Sequence, residues 1–80
     1  MRLLIVEDDF IIAKGLQKHF EKYHYDVQYI EDFEHVLDEF YEFQPDLVLL
    51  DIHLPFFDGY YWCQEIRKIS QVPIVFYFFR

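Results

Sequence analysis

Pro45-Asp46-Leu47-Val48-Leu49-Leu50-Asp51-Ile52-His53-Leu54-Pro55 is the stretch that decides the fold. Its central run is apolar enough to be covered on both faces, as in a strand of a parallel sheet, and it ends on a carboxylate. A second run of the same kind, Leu3-Leu4-Ile5-Val6, ends in Glu7-Asp8-Asp9. In open α/β sheets chemistry gathers in the crevice beyond the carboxyl ends of the strands. Two such strands side by side bring Glu7, Asp8, Asp9 and Asp51 into one small volume. Like charges held that close resist ionising together unless a cation or a proton relieves them. A divalent metal site is therefore the first functional expectation, with Asp51 as its leading residue.

Outward from these runs, short apolar strands alternate with longer amphipathic segments, the pattern of consecutive βα units and a parallel sheet. Leu3 to Val6 is strand one. Asp9 or Asp8 caps a helix running to about Tyr23, with Ile12, Leu16, Phe20 and Tyr23 inward and Ile11, Lys14, Gly15 and Lys18 outward. Asp9 is better read as this cap than as a ligand. Val27 to Ile30 is strand two. Asp32 begins a second helix with Phe33, Val36, Leu37 and Phe40 inward and Glu34, Asp38, Glu39 and Glu42 on its wet side. Pro45 ends that helix, because the residue before a proline disfavours helical geometry. Strand three is Asp46 to Leu50, and Leu54-Pro55-Phe56-Phe57-Asp58-Gly59 is a loop whose Asp58 and Gly59 shape the next helix start. That helix, about Gly59 to Ser70, buries Trp62 or Cys63, Ile66 and Ile69. Pro73 opens strand four, Ile74 to Phe79.

Eighty residues fit one small domain, 1–80, with no internal repeat, linker or low-complexity tract. A composition of 54% hydrophobic and 22% aromatic residues excludes disorder. Ten Phe and seven Tyr exceed what so small an interior accommodates, so some are expected at the surface or under another chain, favouring a homodimer or higher oligomer. The net charge of −8 argues against direct DNA binding, which needs a basic face. Cys63 stands alone, excluding an internal disulfide and suiting a reducing compartment as a buried thiol. The acidic trio interrupts the apolar start, so no leader is expected, and no apolar run is long enough to span a bilayer. The expected location is cytoplasmic. His19, His24 and His35 lack companions at zinc-site spacing.

These segments together resemble the receiver domain of two-component response regulators. The matching residues are Leu3 to Asp9, Pro45 to Pro55, Asp58-Gly59, and Ile66-Arg67 through Val72-Pro73-Ile74-Val75-Phe76. The Glu-Asp-Asp start resembles the OmpR type. Asp58-Gly59-Tyr60-Tyr61-Trp62-Cys63 is similar to regulators of cell-envelope and antimicrobial-peptide responses. The resemblance implies a CheY-like (flavodoxin-like) α/β fold: a three-layer parallel sheet of four strands and three helices in the order 2-1-3-4. It implies that Asp51 accepts a phosphoryl group from a sensor histidine kinase, beside a magnesium ion. Asp8 would bind that ion directly, Glu7 through a water, and Asp51 and the backbone carbonyl of His53 would complete the protein ligands. Magnesium suits hard oxygen ligands and retains waters. The outward side of the first helix, Ile11, Lys14, Gly15 and Lys18, would contribute to kinase choice.

The sequence also departs from the family. It stops before the fifth strand, whose lysine pairs with the phosphoryl oxygens, and shows no output domain, so signalling is expected to be impaired. Lys14 and Lys68 sit on helices and do not take that role. Phe78 and Phe79 occupy the positions of the usual small hydroxyl residue and its small neighbour, where a benzyl group offers no hydrogen bond and crowds the pocket. Strand four becomes an uncovered, β-prone edge, a template for pairing with another chain. The alternative reading is thus a receiver-derived module that self-associates through its aromatic fourth strand. An aspartyl-phosphate hydrolase fits poorly, because it would carry a second Asp where His53 stands. The chain reads as a signalling acceptor, not an enzyme.

Overall fold

The computed structural model describes residues 1–54 and 57–78. Its elements are β1 (Arg2–Val6), α1 (Phe10–Glu21), β2 (Asp26–Tyr29), α2 (Val36–Phe43), β3 (Leu47–Asp51), α3 (Gly59–Arg67) and β4 (Ile74–Tyr77). The two apolar runs lie side by side as parallel neighbours, from Leu3 opposite Leu47 to Val6 opposite Leu50. The sheet order is β2-β1-β3-β4, all parallel, as the sequence reading expects. Pro55 and Phe56 of the expected loop, and Phe79 and Arg80 after strand four, lie outside the described residues.

Alternation along the strands divides the interior in two. Leu4, Val6, Val48 and Leu50 face α2 and α3, packing with Val36, Phe40, Phe43, Trp62 and Ile66. Leu3, Ile5 and Val27 face α1 and meet Leu16 and Phe20. Each fully buried aliphatic chain contributes about 1.5–3 kcal/mol of transfer free energy, so the central strands dominate the stability. The α1 side covers β1 and β2 well but thins toward β4, where Val75 is 48% exposed. Strand three is therefore covered fully on one face and partly on the other, since Leu47 and Leu49 are only half-buried.

Local chemistry sets the element ends. Asp9 caps α1, its Oδ1 accepting from the N–H groups of Ile11 at 3.0 Å and Ile12 at 3.3 Å. Asp58 caps α3 by accepting from Tyr61 N–H at 2.9 Å. Gln44, immediately before Pro45, takes the left-handed conformation at φ 52 and closes α2 with its N–H on the carbonyl of Phe40. Arg2 then clasps the residue before β3: its N–H donates to Asp46 Oδ2 at 2.8 Å and its carbonyl accepts from Asp46 N–H at 2.7 Å.

Several expected boundaries shift. The second helix begins at Val36 instead of Asp32, because the Asp32 carboxylate accepts from Glu34 N–H and the His35 ring and holds a turn there. Glu39 is not simply wet: its carboxylate reaches back to the N–H groups of Glu31 and Asp32. Tyr23 and Ile69 are exposed, not inward, since α1 ends at Glu21 and α3 at Arg67. Cys63 is half-buried beside Trp62, which takes the core position. Strand four closes at Tyr77.

Candidate functional site

Strand parity builds the site. Glu7 follows Val6 at the end of β1 and Asp51 is the last residue of β3; both continue the rows of Ile5 and Leu49 on the α1 side of the sheet. Neither has any exposed surface. Asp8, half-buried, turns into the same crevice. Among the described residues, Glu7, Asp8 and Asp51 form a group whose potential ligand atoms all lie within 4.8 Å of one another. Of the four carboxylates expected there, Asp9 is spent on the helix cap, so the cluster is three.

The two buried carboxylates are held alike. Glu7 Oε2 accepts from Asp9 N–H at 3.0 Å, and Asp51 Oδ1 accepts from His53 N–H at 3.0 Å. In each case the donor lies two residues on, where the chain leaves the strand, so the turn of the backbone itself draws the carboxylate inward. Glu7 gains a second donor from across the sheet, the hydroxyl of Tyr77, at 2.7 Å from Oε1. Burial pushes the Glu7 carboxyl above the usual carboxylate range; the donors from Asp9 and Tyr77 oppose this, while the Asp51 charge and the Asp8 side chain push it further up.

Two neighbours frame the crevice. Gly59 opens α3 against the end of β3: its N–H donates to the Ile52 carbonyl at 3.1 Å, and a Cβ there would meet Asp51 O at 2.5 Å. Only glycine lets the helix start so close to the Asp51 backbone. His53 is exposed, its imidazole tilted against the Phe78 ring with centroids 4.7 Å apart, so the side chain is occupied in a rim contact. Phe78 is itself 56% exposed, at the rim and not filling the crevice. Lys68 pairs with Glu65 at 2.7 Å at the far end of α3.

The donor set fits a hard divalent cation. Three carboxylates offer only oxygen, two are pre-held by backbone N–H groups, and their mutual repulsion is relieved by a positive ion. Two unit charges 4 Å apart at an effective dielectric near 20 repel by roughly 4 kcal/mol. An open groove of about 780 Å³ lies elsewhere, between Phe33, Leu54, Phe57, Tyr61 and Trp62, and includes none of the three carboxylates. Size alone would have misplaced the site. Tyr77 was not singled out by sequence reasoning, although its register opposite Asp51 is the signal that would have found it. Gly59 was read only as a loop and helix-start residue.

Residues 3–78 match the response regulator receiver domain. The chain is 56% identical over 75 residues to the transcriptional regulatory protein YvcP of Bacillus subtilis, covering 94% of this chain and 32% of that protein. It is 46% identical over 76 residues to the response regulator protein GraR of Staphylococcus aureus, covering 95% of this chain and 34% of that one. The chain thus spans about a third of the length of these curated relatives. Among solved structures, the N-terminal domain of the nisin resistance regulator NsrR, a lantibiotic response regulator, superposes with a TM-score of 0.87 at 44% identity, over 94% of this chain and 63% of that one. The BeF3-activated N-terminal receiver domain of Klebsiella pneumoniae RstA gives 0.89 at 32% identity, over 98% and 67%. Among the described residues, no helix is long and apolar enough to cross a membrane.

Proposed function

Since this chain belongs to the response regulator receiver domain family, we propose that Asp51 is its phospho-acceptor and that Glu7 and Asp8 hold a divalent cation, normally magnesium, beside it. The observation that carries this reading is the convergence of Glu7, Asp8 and Asp51 within 4.8 Å at the carboxyl ends of two adjacent parallel strands. A carboxylate is a competent phosphoryl acceptor when it is oriented and its charge is balanced.

The chain's own residues supply orientation. His53 N–H fixes one oxygen of Asp51, and the β3 ladder fixes its backbone. An Asp51 oxygen attacks the phosphorus of a phosphohistidine; the new P–O bond forms as the P–N bond breaks, and the imidazole nitrogen leaves with the electron pair. A cation held by these carboxylates would offset negative charge on the transferring oxygens. Asp8 would bind the cation directly and Glu7 through a water, and Asp51 and the His53 carbonyl would complete the protein ligands. Phe78 offers no hydrogen bond to a phosphoryl oxygen, which weakens readout of the phosphorylated state relative to a hydroxyl residue there. The donor is a sensor histidine kinase, with Ile11, Lys14, Gly15 and Lys18 of α1 as its contact face; Ile11 is 85% exposed, as that role requires.

The test is direct. The chain is incubated with acetyl phosphate and Mg2+ and weighed intact beside Asp51→Asn. A phosphoryl adduct on the parent that is missing from the variant supports the assignment; an adduct that persists in Asp51→Asn, or none on the parent under conditions that modify another receiver domain, removes it.

A further inference from the structure

Tyr77 closes β4 in register with Asp51, and strand alternation puts it on the same face as Val75, continuing the row that holds Asp51 and Glu7. Yet its hydroxyl donates past the neighbouring strand. The sheet order places β3 between β4 and β1, so the phenol passes the end of β3 to reach Glu7 beyond β1. Adjacent strands are about 4.8 Å apart, and few side chains other than a tyrosine carry a hydroxyl that far. The contact is short, 2.7 Å, as expected for a hydroxyl donating to a carboxylate.

The consequence lies in what the second donor adds. Asp9 N–H holds Oε2 of Glu7 and Tyr77 holds Oε1, so both oxygens are gripped, from opposite ends of the crevice. Donors on both oxygens fix the plane of the carboxylate more tightly than a donor on one. We propose that Tyr77 is a positioning residue for the cation site, its hydroxyl fixing the Glu7 carboxylate so that it holds, through a water, the octahedral shell that Mg2+ requires. This rests on the metal-binding reading above and deepens it. Mg2+ demands near-ideal geometry at short distances, whereas Ca2+ accepts more ligands in flexible arrangements. Loss of the hydroxyl therefore costs Mg2+ more than Ca2+, and removal of a partner that orients a metal ligand weakens binding by about tenfold or more.

Calorimetric titration of MgCl2, and separately CaCl2, into the parent chain, Tyr77→Phe and Asp8→Asn tests this. Phenylalanine keeps the ring and removes only the hydroxyl. The expected result is about tenfold weaker Mg2+ binding in Tyr77→Phe with a much smaller loss for Ca2+. Unchanged or tighter Mg2+ binding, or equal losses for both ions, overturns the proposal, the last because it marks a general structural effect. A second measurement needs no variant at position 77. The parent chain carrying fluorotyrosine has seven resonances for its seven tyrosines; one must move when Mg2+ is added and stay still in Asp8→Asn, and no movement overturns the proposal. Binding that depends on Asp8 yet ignores the Tyr77 hydroxyl defeats this inference alone. No Mg2+ binding by the parent, or binding that survives Asp8→Asn, defeats the metal site itself.

Discussion

The chain has only two glycines, and the same substitution at each should change stability in opposite directions. Gly15 lies within α1 with nothing within 4 Å of a built Cβ. Alanine there gains helix propensity and loses unfolded-state freedom without a steric cost, stabilising by about 0.5–1 kcal/mol. Gly59 opens α3, and its added Cβ would meet Asp51 O at 2.5 Å, Ile52 Cα at 3.1 Å and Asp51 C at 3.2 Å. All three are backbone atoms, so no side-chain rotation relieves the contact; either the start of α3 or the end of β3 must move. Overpacking of this kind costs about 1–3 kcal/mol, and a backbone oxygen puts it at the upper end. Subtracting at most about 1 kcal/mol of helix propensity leaves a net loss of about 2 kcal/mol. For a domain this small that lowers Tm by roughly 8–16 °C, whereas Gly15→Ala raises it by roughly 2–8 °C. Thermal and urea unfolding followed by far-ultraviolet circular dichroism measures both. A Gly59→Ala protein as stable as the parent, or shifts of the same sign at the two positions, would refute the reasoning.

Three further outcomes follow from the same geometry. In cation-free buffer Asp51→Asn should unfold at higher urea than the parent, by on the order of 2 kcal/mol, because it removes one of three crowded negative charges while keeping an acceptor for His53 N–H. Added Mg2+ should narrow the gap, and a less stable variant would count against the repulsion argument. The Asp32 carboxylate raises the His35 imidazole above its ordinary value and is itself held below the usual carboxylate range by that ring. The stabilisation from His35 is therefore complete below its ordinary pKa and lost as pH rises through the raised folded value; that from Asp32 is complete above its ordinary pKa and lost as pH falls through its depressed one. An NMR titration should show the His35 midpoint fall in Asp32→Asn, and an unmoved midpoint would dismiss the pairing. Finally, the 80-residue chain presents β4 as a sheet edge among the described residues, with Val75 48% and Phe78 56% exposed. Light scattering after size exclusion should show self-association that Val75→Lys weakens, and a monomer at micromolar concentration would exclude it.

What could be read in advance, and what could not, follows from the range of the interactions concerned. The strands were legible because Leu3–Val6 and Leu47–Leu50 are uniformly apolar and connected through amphipathic segments, whereas their order came with the resemblance to receiver domains. Asp9 was legible as a cap because its partners lie within three residues. Asp32 gave the same local signal, but its carboxylate is taken up by a turn with Glu34 and His35, and the helix waits until Val36. Tyr23 and Ile69 fit the helical period yet fall past the last helical turn, because periodicity marks which face is apolar and not where the helix stops. Gly59 looked like ordinary loop chemistry; its close approach to Asp51 exists only once α3 is docked on β3. Tyr77 was hidden for the same reason, since its partner is 70 residues away.

The site owes its shape to one device used twice and a third group that ties the two uses together. Glu7 and Asp51 each end a parallel strand, and each accepts the N–H two residues on, at 3.0 Å. This holds both carboxylates on the inner side of the turn, fully buried, where neither can retreat into water. Such placement is unfavourable for stability, since burial and the facing charge both raise the Glu7 pKa. It would be favourable for cation binding, because energy lost to repulsion in the cation-free fold would be regained on binding. The Tyr77 hydroxyl supplies a donor within this crevice without adding a positive charge. A neutral donor would not compete with a divalent ion for the carboxylates, as a lysine amine at the same distance would. The buried carboxylates, the two backbone donors and the phenol therefore work together, each donor fixing a carboxylate oxygen at the strand ends.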